Sequence, residues 1–255
     1  MSFIQSIVLS IIEGLAEFLP ISSTGHMILA SSIMNIPEGT FVKTFEISIQ
    51  IGAIMAIVLL YTKRYLKEFS IYLKLGIAFI PTGIIGFFAY PYIKAYLFNP
   101  IIVTVSLILG GIILILIDKK VSRNEGKTIA LESISYKNAF FIGLFQSVSM
   151  IPGVSRAAAT IIGGIFNGLD KKHAIEFSYL LAVPTMFVAS GYDLYKTSIE
   201  FSGHEIFLLC FGLVIAFITA LLAVKVFVRF VQNYGFKYFG YYRIIIGITY
   251  LIFIK

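Results

Sequence analysis

Two glutamates four residues apart, Glu13 and Glu17, are followed within a few positions by Ser22, Ser23, Thr24, Gly25 and His26. The i, i+4 spacing puts both carboxylates on one helix face, where like charges repel. A shared proton, a divalent cation with a taste for oxygen ligands such as Mg²⁺ or Ca²⁺, or a nearby arginine would relieve them. The small residues follow Pro20 and precede a renewed apolar stretch, so they read as a loop that caps the next helix. Backbone N–H groups at such a helix start attract anions, phosphate included. His26 lies three residues after Ser23, within reach to activate its hydroxyl or to act as the nucleophile itself.

A second cluster lies far along the chain, in PGVSRAAAT at 152–160. Arg156 stays charged and must find an anion, either phosphate oxygens, which its fork matches bidentately, or a carboxylate of Glu13, Glu17 or Glu46. Gly153, Ser155 and Thr160 beside it are candidate substrate contacts through backbone and hydroxyl groups. Gln50, four residues after Glu46, fits a cavity wall or an interfacial helix start, as does Glu176 with Ser178. Arg243, beside Tyr241 and Tyr242, reads as an interfacial anchor reaching towards water. His173 and His204 sit among loop charges and carry no assigned role.

These groups are embedded in a chain made for lipid. Of its 255 residues 58% are hydrophobic and 13% charged, and the mean hydropathy is +0.94. That excludes disorder, a collagen-like repeat and a water-soluble enzyme with a small anchor. The lone Cys210 excludes an internal disulfide and reads as packing within an apolar block. The formal charge of +7 comes from basic residues scattered between apolar runs, which argues against nucleic acid and for membrane orientation. The first residues, MSFIQSIVLSIIEGLAEF, carry no Lys or Arg ahead of their apolar stretch and do not read as a cleavable signal peptide.

A helix needs roughly 20 apolar residues, and at least about 17, to cross a bilayer core of about 30 Å. Six blocks qualify: 45–62, 74–93, 101–117, 174–192, 205–224 and 238–254. Two further apolar regions, 3–36 and 138–169, are interrupted by PISSTG (20–25) and PGVSR (152–156). Irregular backbone at bilayer depth is tolerated only inside protein or along a wet cavity. Residues 13–26 and 146–160 are therefore expected to form re-entrant helix–loop–helix hairpins. Threaded this way, 14 of the 20 basic residues fall in the links 63–74, 118–137, 170–173 and 225–237, which makes that side cytoplasmic. The expected fold is an all-α integral membrane protein of about six transmembrane helices plus two hairpins. It forms a single membrane domain over 1–255, an inverted-topology repeat with halves near 1–117 and 134–255 joined by the basic link 118–137. An offset of 132 matches Pro20 with Pro152 and Ser23 with Ser155.

Ionisable groups at bilayer depth are functional candidates by default. The segments EGLAEFLPISSTGH (13–26) and PGVSRAAAT (152–160) resemble the two signatures of the undecaprenyl-diphosphate phosphatases of the bacitracin-resistance type. FEISIQIGAIMA (45–56), EFSYLLAVP (176–184) and YYRIIIG (241–247) are also similar, so the likeness spans nearly the whole chain. The resemblance implies a multi-pass plasma-membrane enzyme whose site faces the outer side and removes the terminal phosphate of a polyprenyl diphosphate. It implies Glu13 and Glu17 as ligands of a divalent metal ion or as proton carriers. It assigns nucleophile and base to Ser23 and His26, and the grip on the diphosphate to Arg156. Partners are the polyprenyl diphosphate and membrane lipids, and a homodimer is compatible with such a chain. The family pattern usually has Ser-Gly after the arginine where this chain has Ala157 and Ala158, which removes one potential phosphate donor. The main rival is a transporter or flippase of a polyprenyl phosphate lipid, since inverted repeats with broken helices also build secondary transporters.

Overall fold

The computed structural model describes residues 1–37, 39–67, 69–97, 99–121, 129–196 and 201–253. Helices α1 (Phe3–Ala16), α2 (Ser23–Ile33), α3 (Thr40–Lys67), α4 (Phe69–Tyr96) and α5 (Pro100–Val121) are followed by α6 (Tyr136–Val148), α7 (Arg156–Phe166), α8 (Lys171–Lys196), α9 (Gly203–Tyr234) and α10 (Lys237–Phe253). Among the described residues there is no β-strand, only an isolated bridge between Ile129 and Leu169. Arg123 and Lys127 of the basic link, and Lys255, lie outside the described residues.

Among the described residues five helices are long and apolar enough to cross a membrane: Thr40–Leu66, Ser70–Ala89, Pro100–Lys119, Lys171–Tyr195 and Gly203–Tyr234. The sixth expected span is α10, with 17 helical residues described. Large apolar side chains such as Leu59, Phe87, Phe88 and Val226 face outward on these helices, and Cys210 is exposed on α9 rather than packed as expected. Outward apolar groups are unfavourable in water and ordinary in lipid.

Small polar residues start the short helices. Ser2 caps α1 in a capping box with Gln5, and Ser135 accepts the Asn138 amide at α6. Ser22 and Ser155 cap α2 and α7, each with positive φ, 72° and 77°. Non-glycine residues rarely adopt that conformation, and here each serine is held by its own cap bond. Ser2 and Ser135, Ser22 and Ser155, and the positive-φ pair Asn35 and Gly168 are all separated by 133 residues. The spacing of the caps is therefore 133, one more than the offset of 132 suggested by matching residues.

Each short leading helix leans on a long helix from the other half. α1 packs on α9 and α6 on α4. The contacts are close enough to need glycine: a Cβ at Gly14 would lie 2.5 Å from the Ala216 carbonyl, and one at Gly143 1.9 Å from that of Ala78. Buried Gln146 then ties α6 to two proline-containing helices, donating to Thr82 (2.9 Å) and Thr185 (3.1 Å) beside Pro81 and Pro184. Asp118 at the end of α5 accepts the Phe236 amide at 2.8 Å and so fixes the approach to α10.

Candidate active site

The loops that follow α1 and α6 meet across the interior. Glu17, at the end of α1, places Oε1 2.8 Å from Nη2 of Arg156, the first residue of α7. Its other oxygen accepts the hydroxyl of Ser23, the first residue of α2. One carboxylate thus joins the hydroxyl of the first signature to the guanidinium of the second. Arg156 is steadied from behind by the Ser178 carbonyl (3.2 Å) and by the ring of Phe18, 5.4 Å from its Cζ. The Ser155 hydroxyl reaches the Leu19 carbonyl at 3.5 Å.

A cavity of about 190 Å³ opens over this junction. Its wall includes Glu17, Ser22, Ser23 and Thr24 from the first loop, Gly153, Ser155 and Arg156 from the second, and Gln50 from α3. Gln50 also faces the Ser190 hydroxyl at 3.4 Å. Ser23 and Thr24 lie in the first turn of α2, where amides have no helical acceptor. The arrangement can therefore hold an oxyanion between helix-start amides and a guanidinium, against a serine whose hydroxyl already donates to a carboxylate.

Several expected residues sit elsewhere. His26 does not bond to Ser23: its Nδ1 meets the Ser22 carbonyl at 2.8 Å and its Nε2 meets the Tyr242 hydroxyl at 2.9 Å. A carbonyl only accepts, so Nδ1 carries a proton, and in the neutral ring Nε2 accepts from the tyrosine. The ring is turned towards α10, and Glu17 occupies the place beside Ser23 expected for the imidazole. Gly25 is not on the cavity wall, and its amide is spent on Ser22 Oγ at 3.2 Å. Thr160 is fully buried away from the cavity; its hydroxyl bonds to the Arg156 carbonyl (2.9 Å) and Ser178 Oγ (2.6 Å), bracing α7 against α8. Ala157 belongs to the hydrophobic core, so the hydroxyl missing at that position takes nothing from the cavity wall. Glu176 pairs with Arg64 at 2.8 Å beside a separate cavity, outside the junction.

Glu13 is fully buried beside Glu17, and apart from a proton the two carboxyls could share, no donor among the described residues reaches its carboxylate oxygens. An ionised carboxylate is not left bare in a protein interior, so this position calls for a proton or a cation. Among the described residues no three His, Cys, Asp or Glu side chains are grouped to hold a metal. A cation here would rest on Glu13 and Glu17 and complete its shell with hydroxyl, water or substrate oxygens.

Sequence reasoning misplaced Arg243. It is not an interfacial anchor but fully buried. Its guanidinium donates to Pro20 (3.0 Å) and Val154 (3.0 Å) through Nη1, to Ser106 (3.0 Å) and Gly153 (2.8 Å) through Nη2, and to Leu107 (3.1 Å) through Nε. The adjacent tyrosines suggested an interface, whereas its place two turns inside an apolar helix was the better signal.

Fold and site define a multi-pass helical membrane protein with an internal site for oxyanion chemistry. A family model described as Bacitracin resistance protein BacA matches residues 6–249, and the chain belongs to that family. It is 50% identical over 254 residues to a protein of Wolinella succinogenes named undecaprenyl-diphosphatase, covering 100% of this chain and 99% of that one. Proteins of the same name from Aquifex aeolicus and Persephonella marina are 50% and 49% identical, covering 98% and 100% of this chain and 97% and 100% of their own lengths.

Proposed function

We propose that the chain hydrolyses undecaprenyl diphosphate to the monophosphate and inorganic phosphate, returning the lipid carrier to cell-envelope glycan synthesis. The observation that carries this reading is the single junction of Ser23, Glu17 and Arg156, in a chain whose full-length relatives bear the name undecaprenyl-diphosphatase. Phosphoryl transfer needs mainly alignment and neutralised charge. The incoming terminal phosphate exchanges places with Glu17 on the Arg156 fork, while the Ser23 and Thr24 amides face its remaining oxygens. Ser23 Oγ attacks phosphorus as its proton passes to Glu17, and the bridging P–O bond breaks to release the lipid monophosphate. Water then cleaves the phosphoserine. His26 is the alternative base or nucleophile once its ring leaves Tyr242. Glu13 and Glu17 would hold Mg²⁺ or Ca²⁺, which supplies charge neutralisation on the phosphates when bound.

The hairpins belong to the same reading. α2 and α7 each have 11 residues, roughly 16 Å at about 1.5 Å per residue, which is about half of a bilayer core of about 30 Å. With the recurring caps and the exchanged packing of α1 and α6, this supports two re-entrant hairpins in an inverted repeat within one membrane domain. The bias of basic residues towards one side supports a cavity that opens to the outer face. In a Cys210→Ser background, Thr40→Cys is expected to react with a membrane-impermeant thiol reagent added outside intact cells; labelling from the cytoplasmic side alone refutes that orientation.

Purified protein in detergent should release phosphate from undecaprenyl diphosphate, and chelation of divalent ions should lower the rate by about 10²-fold, the scale of losing one strong charge stabiliser. A transporter or flippase needs a sealed membrane and releases none. Wild-type protein that stays silent with metal supplied defeats the phosphatase reading.

A further inference from the structure

Arg243 lies far along the chain from both loops, yet its guanidinium holds them together. A guanidinium has five N–H groups, and all five are directed at carbonyls: Pro20 in the first loop, Gly153 and Val154 in the second, and Ser106 and Leu107 in α5. Nη1 alone bridges Pro20 and Val154, both at 3.0 Å. No donor is left over for a phosphate oxygen. The loop carbonyls have no place in a helix ladder, and leaving them bare in a low-dielectric interior is unfavourable.

The seat for this group is cut into α5. A Cβ at Gly110 would lie 2.0 Å from Nη2 and 2.6 Å from Cζ of Arg243. The clamp therefore has two parts from different helices, a guanidinium from α10 and a missing side chain in α5. The clamped carbonyls adjoin the cavity wall: Ser22 and Ser23 follow Pro20 closely, Ser155 and Arg156 follow Val154, and Gly153 itself lines the wall.

We propose that Arg243 is a positioning residue that fixes the spacing of the two loops, so that Ser23 and Arg156 address the same phosphate, without itself touching substrate. The inference rests on the phosphatase reading. A displacement of about 1 Å between reacting groups can lower a rate by about 10²-fold, so the loss belongs in kcat rather than in binding of the long lipid.

Arg243→Lys keeps the charge but has at most three donors for five carbonyls. Its kcat for undecaprenyl diphosphate should fall by about 10- to 100-fold, with KM within about threefold of wild type. Gly110→Ala keeps Arg243 and improves intrinsic helix propensity, yet should show the same split because the new Cβ displaces the guanidinium. The double variant should be no slower than the slower single one, as expected for changes in one shared contact. Amide hydrogen exchange in segments 17–23 and 150–156 should be faster in both variants, with helical content and monodispersity retained. Unchanged kcat in both folded variants, losses that multiply in the double variant, or a raised KM at wild-type kcat would each overturn the proposal. So would unchanged exchange in the two loops, a readout that still decides the clamp if wild-type protein releases no phosphate and the phosphatase reading itself has failed.

Discussion

Replacing Arg156 by alanine is expected to lower kcat/KM for undecaprenyl diphosphate by about 10³-fold or more, the range found when an arginine that neutralises phosphoryl charge is removed. Arg156 bridges Glu17 before substrate arrives, through a 2.8 Å contact of groups with little solvent exposure. Deleting it also strips a buried carboxylate of its cation, which costs about 3–5 kcal/mol when one partner of a buried pair is lost. Loss of activity in Arg156→Ala alone would therefore mix chemistry with stability. Arg156→Lys separates them, because it leaves a cation near Glu17 while losing the planar fork and the tie to the Ser178 carbonyl. It should fold with nearly the wild-type thermal midpoint and still be slower by about 10²-fold. A folded Arg156→Ala protein that hydrolyses the substrate within about tenfold of wild type would remove this residue from the transition state.

Ser23→Ala is the second large effect. Its hydroxyl donates to Glu17 and lines the cavity, the geometry of a nucleophile already paired with a proton acceptor. Phosphate release is expected to drop by about 10³-fold or more, the scale seen when a covalent nucleophile is removed. His26→Ala should lose less, about 10²-fold, the low end for an acid–base group, because its ring is turned towards Tyr242 rather than Ser23. Quenched turnover of radiolabelled substrate separates the routes: phosphoserine survives acid, phosphohistidine does not. If Ser23→Ala keeps most of its rate, His26→Ala is dead and the trapped label is acid-labile, then His26 is the nucleophile and the contact with Tyr242 is a resting arrangement.

Much of the site was readable because lipid makes polar residues informative. An acid, an imidazole or a guanidinium in an apolar run is unfavourable, so Glu13, Glu17, His26 and Arg156 stood out one by one. Ser22 was equally visible at a helix start, since a proline followed closely by hydroxyl residues and then an apolar run leaves few other conformations. Arg243 was hidden by its neighbours: two adjacent tyrosines are the usual mark of an interface, and spacing cannot distinguish a side chain reaching water from one reaching backbone carbonyls. Thr160 failed for a related reason, because a helix residue shares its face with positions three and four away and that face turned out to be the one against α8. Its hydroxyl bonds to the Arg156 carbonyl and to Ser178 instead of facing the cavity.

The chain's local chemistry determined its helices, its membrane class and the two signatures, since hydropathy and capping act over a few residues and need no partner. Which groups touch was decided only by tertiary packing. Glu17 and Arg156, 139 residues apart in the chain, are brought within 2.8 Å by the meeting of the α1 end with the α7 start, and the five carbonyls beneath them are gathered by an arginine near the far end of the chain. Contacts of that kind depend on glycine-thin crossings such as Gly14 against α9 and Gly110 against Arg243, where the absence of a side chain sets the distance between backbones.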